Sequence, residues 1–110
     1  MLNKTFIIGN VGKDPESKTT LKGGMFTKFS VGVSEQNKGE QTTQWFNCKS
    51  FNAQAEYIQR NVQKGTKVYI EGSMKSNKYQ DKTYWDLLVN KIEILDGRKQ
   101  SDKNQSNRSY

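Results

Sequence analysis

Four residues at alternating positions, Trp45, Asn47, Lys49 and Phe51, carry the chemistry in this chain that most invites a functional reading. In an extended strand, alternate side chains fall on opposite faces. One face of residues 45–51 then presents two large aromatic rings, an amide and a cation. The other presents Phe46, Cys48 and Ser50, a mildly apolar set suited to turn inward. Aromatic faces stack on flat rings and an ammonium attracts phosphate, so the first face suits a ligand that has both. Tyr79 lies in a polar stretch with no apolar neighbour and could add a third ring. Lys28, Lys75 and Lys78 join Lys49 as cations whose attraction for phosphate would weaken as salt rises. Any one of them alone is an ordinary solvated lysine; together they form a cationic group.

Other chemistries find little material. The chain has no histidine and a single cysteine, Cys48, so zinc-finger and zinc-hydrolase sites lack their usual ligands. Cys48 sits inside a strand-like run and reads as a small core residue. Gly9, Gly12 and Gly23-Gly24 are turn glycines, because the Gly-x-x-x-x-Gly-Lys-Ser/Thr phosphate loop is absent. Asp14, Glu16, Glu35 and Glu40 are scattered solvated acids. With no nucleophile–base pair and no acidic metal cluster, the reading is of a binding protein without cofactor or catalytic step.

The composition agrees. There are 18 Lys and Arg against 11 Asp and Glu, a net charge of +7, which favours a polyanionic partner. Hydrophobic residues are 32%, below the usual globular share, but aromatics at 11% argue against wholesale disorder. A length of 110 residues implies one domain with a modest core. One cysteine forbids an internal disulfide framework, which favours a reducing compartment. No apolar run approaches a membrane span and the N-terminus shows no signal-peptide cleavage site, so a cytoplasmic location and no membrane partner are expected.

The elements that must position these residues are mostly strands. Leu2–Val11 is rich in β-favouring residues and ends at Gly12 and Pro15. Residues 16–24 form a loop with room for a short strand. Met25–Ser34 alternates, with Met25, Thr27, Phe29, Val31 and Val33 on the buried side and Phe26, Lys28, Ser30 and Gly32 on the other. Residues 35–44 have no apolar member and are expected to be a long mobile loop. After the 45–51 strand, Asn52 is placed to N-cap a helix over 53–64, with Ala55, Ile58 and Val62 as its buried stripe and Gly65 as its C′ glycine. Residues 66–79 form a fourth strand with Val68, Ile70, Gly72 and Met74 inward. Residues 80–83 turn, and 84–95 form a fifth strand. Trp85 shares a face with Leu87 and Val89, so core packing and ligand contact remain open for it. Residues 97–110 turn basic and lose their apolar residues except Tyr110, which marks a disordered tail after a domain of residues 1–96. Three strands, one helix and two strands is the order of the OB-fold, a mainly all-β, five-stranded Greek-key barrel with its helix between strands three and four.

At this level of detail the residues resemble a known family. Asn3-Lys4, the run Ile7 to Glu16, Gly23-Gly24, Phe29-Ser30-Val31, the Trp45 strand, Ala55-Glu56, Lys64-Gly65 and Val68-Tyr69-Ile70-Glu71-Gly72 follow in uninterrupted order over roughly residues 2 to 95. Together they resemble the bacterial-type single-stranded-DNA-binding proteins. The resemblance implies an OB-fold, a homotetramer and binding of single-stranded DNA without sequence preference, in replication, recombination or repair. It implies that Trp45 and Phe51 match two base-stacking positions and that Tyr79 stands at a third, usually tryptophan. Asn37 stands where a further stacking tryptophan often sits, Asn61 replaces a tyrosine, Ala53 a lysine and Asn77 an arginine. Lys75 and Lys78 match basic positions along the binding path, and Lys4 and Lys64 do so more loosely. Family members often end in an acidic tip with a final Phe that recruits replication and repair enzymes. This sequence ends Asn107-Arg108-Ser109-Tyr110, which leaves that route without its usual residues.

Two other readings share the fold. A dimeric primosomal OB-fold accessory acting mainly through protein partners would fit a polar Asn37 and a missing acidic tip, but would not need Trp45 and Phe51. An RNA-binding OB domain would have no reason to match the Val68–Gly72 block.

Overall fold

Each strand has one apolar side and one polar side, and a sheet closed on itself turns all the apolar sides into one interior. The computed structural model describes residues 1–95. They form β1 (Thr5–Val11), β2 (Glu16–Thr19), β3 (Met25–Asn37), β4 (Glu40–Phe51), helix α1 (Asn52–Asn61), β5 (Lys67–Tyr79) and β6 (Lys82–Ile94). The strands lie in the order β1-β5-β6-β4-β3-β2, and a further pairing of β1 with β3 closes the sheet. Five strands make the barrel, while the four-residue β2 extends it beside β3. This is the OB-fold expected from the element order.

The barrel interior is filled by Ile7 and Val11 of β1, Phe29 and Val31 of β3, Cys48 of β4, Val68 and Ile70 of β5 and Leu87 of β6. Helix α1 packs against β2, β3 and β4. It brings in Ala55 and Ile58, with Val62 following at the C-cap, so the predicted stripe is the buried one. Ile58 is fully buried; truncating such a side chain to alanine costs about 2–5 kcal/mol. The buried hydroxyl of Thr27 donates to the Ala55 carbonyl at 3.2 Å, which joins helix and barrel without an orphaned polar group.

One irregularity explains how β6 serves the core on both sides of Asn90. In β6, Leu87 and Val89 face inward at odd positions, whereas Ile92 and Ile94 do so at even ones. The pairing of β5 with β6 runs Glu71↔Lys91 and then Gly72↔Val89, so Asn90 is an extra residue without a partner. Such a bulge flips the parity of everything beyond it. Gln54 of α1 secures it: its amide donates to the Asn90 carbonyl at 3.1 Å and its oxygen accepts from Ser50 Oγ at 2.6 Å. On the facing strand, a Cβ added to Gly72 would lie 2.1 Å from the Leu88 carbonyl oxygen, so only glycine fits there.

Several predicted boundaries shift. β1 starts at Thr5, three residues late, although Asn3 just before it exchanges side-chain bonds with the Met74 backbone. The expected mobile loop over 35–44 does not exist: β3 runs on to Asn37 and β4 begins at Glu40, paired through to a two-residue turn. An arm that projects beyond the barrel is wet on both faces, so it shows no hydrophobic alternation. The helix ends at Asn61, with Val62 at the C-cap. Asn52 does not cap it: Asn52 takes a left-handed φ of 57° and Phe51, with no polar side chain, stands at the N-cap. Gly65 is left-handed as expected at φ 91°, but it serves a separate turn whose N–H donates to Val11 O. Lys82 and Thr83 belong to β6, not to the turn. The predicted basic tail, 97–110, lies outside the described residues.

Candidate nucleic-acid interface

The outward face of β3 and β4 is built by register. Phe26 stands opposite Phe51, Lys28 opposite Lys49, Ser30 opposite Asn47 and Gly32 opposite Trp45. The predicted inward set of β4 is inward: Cys48 and Ser50 are buried and Phe46 packs on the core. Trp45 and Phe51 accordingly point out, 59% and 48% exposed.

Trp45 lies across a floor with no side chains. A Cβ added to Gly12 would sit 2.6 Å from Trp45 Cζ3, and one added to Gly32 would sit 2.9 Å from the same ring. The two glycines let the indole lie against the backbone while its other face stays in solvent. Phe51 is held by Phe26, an outward residue to which sequence alone assigns no role. Their rings are 5.3 Å apart and 20° from parallel, and Lys49 Nζ sits 5.8 Å from the Phe26 centroid. Only the strand register, which matches Phe26 to Phe51, could have revealed that pair.

The lysines divide. Lys28 and Lys49 oppose each other across the ladder, an arrangement that destabilises unless a countercharge is present. Asp86 of β6 provides it. Its carboxylate lies 3.0 Å from Lys49 Nζ and accepts from Asn77 Nδ2 at 2.8 Å. Asp86 is only 9% exposed, so this pair ties the floor of β4 to the base of the β5–β6 hairpin. Lys49 thus carries part of its charge balance within the protein, whereas Lys28 is exposed. Burial, and secondarily the nearby Asp86 charge, pushes the Cys48 thiol up to about 12, which keeps it protonated and inert.

A cleft of about 500 Å³ opens between this floor and the β5–β6 hairpin, lined among others by Lys28, Asn47, Lys49, Asn77, Tyr84 and Asp86. On the hairpin, Lys75, Asn77 and Tyr79 pair with Asp86, Tyr84 and Lys82 and share the face of the cleft. Tyr79, at the far end, is 65% exposed. Tyr84 is a second residue the sequence reading passed over; its register opposite Asn77 is what brings it to the cleft. Lys78 pairs with Thr83 and projects from the opposite face. Lys64 is exposed beyond the end of α1, its backbone N–H donating to Asp14 Oδ1 at 2.8 Å. Lys4 is exposed just ahead of β1. Of the expected residues, Lys28, Asn47 and Lys49 line the cleft; Trp45 and Phe51 share the outward face of β4 with them, Lys75 and Tyr79 share a hairpin face with Asn77 and Tyr84, and Lys78, Lys64 and Lys4 lie off these faces. Among the described residues no group of three or more His, Cys, Asp or Glu side chains could hold a metal ion, and no helix is long and apolar enough to cross a membrane.

The chain is 34% identical to the single-stranded DNA-binding proteins of two Neisseria meningitidis strains, over 91% of its own length and 63% of theirs. It is 37% identical to that of Rhizobium meliloti, over 87% of its length and 59% of the relative's. The chain thus spans about three fifths of the length of these curated relatives. A solved structure, described as the Plasmodium falciparum SSB complex with ssDNA, superposes with a TM-score of 0.80 at 28% identity, covering 87% of this chain and 96% of that one. Residues 2–95, all five barrel strands and the helix included, match the single-strand binding protein family, and the chain belongs to it.

Proposed function

We propose that the protein binds single-stranded DNA without sequence preference and protects it during replication, recombination or repair. The observation that carries this reading is the outward face of β4, with exposed Trp45 and Phe51 flanking Asn47 and Lys49, beside a cleft lined on the hairpin side by Asn77 and Tyr84, with Lys75 and Tyr79 on the same hairpin face. Rings stack on bases of any identity, and the net charge of +7 favours the phosphate chain. Binding alone accounts for every part of this surface, with no catalytic step. The same Trp45 and Phe51 weigh against an accessory that acts mainly through proteins.

The reading includes assembly. On the outward side of β1, Phe6 and Ile8 are large, apolar and exposed, beside Tyr69 of β5. Along Thr5–Gly9 the other edge of β1 has no partner strand among the described residues. An open edge with an apolar face favours a second copy of the chain, and a homotetramer in the cytoplasm is the form proposed. Mass measurement in solution distinguishes it from dimer and monomer.

Titration with oligo(dT) while following tryptophan emission tests the function. The expected result is strong quenching and an affinity that falls as salt rises. Unchanged emission together with no gel shift at low salt would sink the reading. Tighter competition by poly(U) than by poly(dT) would redirect it to RNA.

A further inference from the structure

The β5–β6 hairpin presents two faces. Its front face, turned to the cleft, carries Lys75, Asn77, Tyr79, Lys82, Tyr84 and Asp86. Its back face carries Ser76 opposite Trp85 and Lys78 opposite Thr83. Trp85 continues the inward line of Leu87 and Val89, but the hairpin has left the barrel by that point, so the indole emerges into solvent and is 55% exposed. Of the two outcomes that sequence alone left open for Trp85, core packing is not the one adopted.

We propose that Trp85 and Lys78 form a second single-strand contact on the back of this hairpin, so that a bound strand leaving Tyr79 passes around the tip and clasps the arm on both faces. The proposal rests on the single-strand-binding reading above. Three features support a nucleic-acid strand as the occupant. The back face repeats the chemistry of the front, an aromatic plane with a cation beside it: Lys78 lies one diagonal step from Trp85 across the ladder, within reach of a long side chain. It holds no acid, because Asp86 turns to the front to meet Lys49 and Asn77, and Asp81 lies in the turn. The front and back faces of the hairpin meet around a tip of two turn residues, Gln80 and Asp81, the latter four residues or roughly 13 Å from Trp85.

The protein has two tryptophans, so Trp45→Phe leaves Trp85 as the only one while keeping a ring at position 45. In that variant, Trp85 emission should fall on addition of long oligo(dT), with the same midpoint as binding followed by anisotropy of labelled DNA. In a second variant, Trp85→Leu, affinity for long oligo(dT) should drop about tenfold, the order of one lost stack. Affinity for an oligonucleotide only long enough to cover Trp45 and Phe51 should be unchanged. Lys78→Ala should lower the salt dependence with the long oligonucleotide alone, by about 0.7 in slope. Full binding by anisotropy with Trp85 emission unchanged overturns this proposal and leaves the broader function standing. A Trp85 emission that shifts with protein concentration and ignores DNA also overturns it, and places the indole between copies of the chain. Absence of any binding by the unaltered protein overturns both.

Discussion

Two hairpins leave the barrel with the same backbone device and opposite surfaces. The β3–β4 arm closes through Lys38 and Gly39, with φ values of 52° and 84°; the β5–β6 arm closes through Gln80 and Asp81, at 50° and 66°. Both are two-residue turns with left-handed residues at both central positions, the geometry that matches strand twist. Beyond that they diverge. From Ser34 to Thr43 the first arm has no aromatic residue and carries Glu35 and Glu40 against Lys38. From Lys75 to Trp85 the second carries Lys75, Lys78 and Lys82 against Asp81, with Tyr79, Tyr84 and Trp85. Backbone geometry therefore does not assign the arms their roles. The side chains make one a candidate wall of the cleft and leave the other with little means to hold a polyanion.

The largest expected effect lies on the floor next to both arms. Trp45→Ala removes a ring at the root of the polar arm and should weaken oligo(dT) binding by about 1–3 kcal/mol, the usual worth of one stacked base. Thr42→Ala, on the same strand but out in the polar arm, should change the affinity little. Equal losses in the two variants, measured side by side by anisotropy, would mean that the polar arm also touches the strand. Gly12→Ala should mimic part of the Trp45 loss, because the new methyl group occupies the space the indole rests in.

The base of the basic arm gives the next effect, on stability and on binding in opposite directions. Asp86→Asn removes the countercharge that Lys49 and Asn77 share and leaves Lys49 facing Lys28. A hydrogen bond to a charged group contributes about 1.5–3 kcal/mol, so thermal unfolding should move down by several degrees. The freed Lys49 charge should make DNA affinity steeper in salt. A variant that loses stability with no change of salt slope would show that Lys49 plays no part in phosphate binding.

How much of this was legible in sequence depends on whether burial leaves a pattern. The β4 alternation did, because one side of that strand is core and the other solvent, and Trp45 and Phe51 could be placed from it. The polar arm did not: with neither face buried, Ser34–Thr43 has the composition of a loop, and only pairing makes it a hairpin. The Asn90 bulge left no mark in composition, yet it decides which residues of β6 face inward. Phe26 and Tyr84 depended on register, which joins residues that are far apart in sequence. Trp85 was ambiguous for a related reason, since its parity points to the core but the strand has already passed the end of the barrel.

Single-charge substitutions compare the arms more finely. Each lysine that neutralises a phosphate of a single strand contributes about 0.7 to the slope of log affinity against log salt. Lys75→Ala should lower the slope by about that amount, and Lys38→Ala in the polar arm should leave it unchanged. A reversed order would exchange the roles assigned to the arms.

The smallest effect concerns the turns themselves. Glycine at Gly39 adopts its left-handed φ freely, whereas Gln80 and Asp81 are both side-chain-bearing residues held there. Asn-Gly is the favoured pair for such a turn, so replacing Gln80 with Asn and Asp81 with Gly should relieve strain of about 1 kcal/mol and raise the unfolding temperature by a few degrees. The gain can appear only if the arm is formed in the free protein. An arm that folded solely on DNA would leave the unfolding temperature of the free protein where it was, and the Asn-Gly turn would instead tighten oligo(dT) binding by pre-ordering the arm. Removing Asp81 also removes the one acid of the arm's tip, so the binding comparison belongs at high salt, where that charge is screened. A shift in melting with no shift in high-salt affinity is the expected result, and it would establish the basic arm as a preformed wall of the cleft.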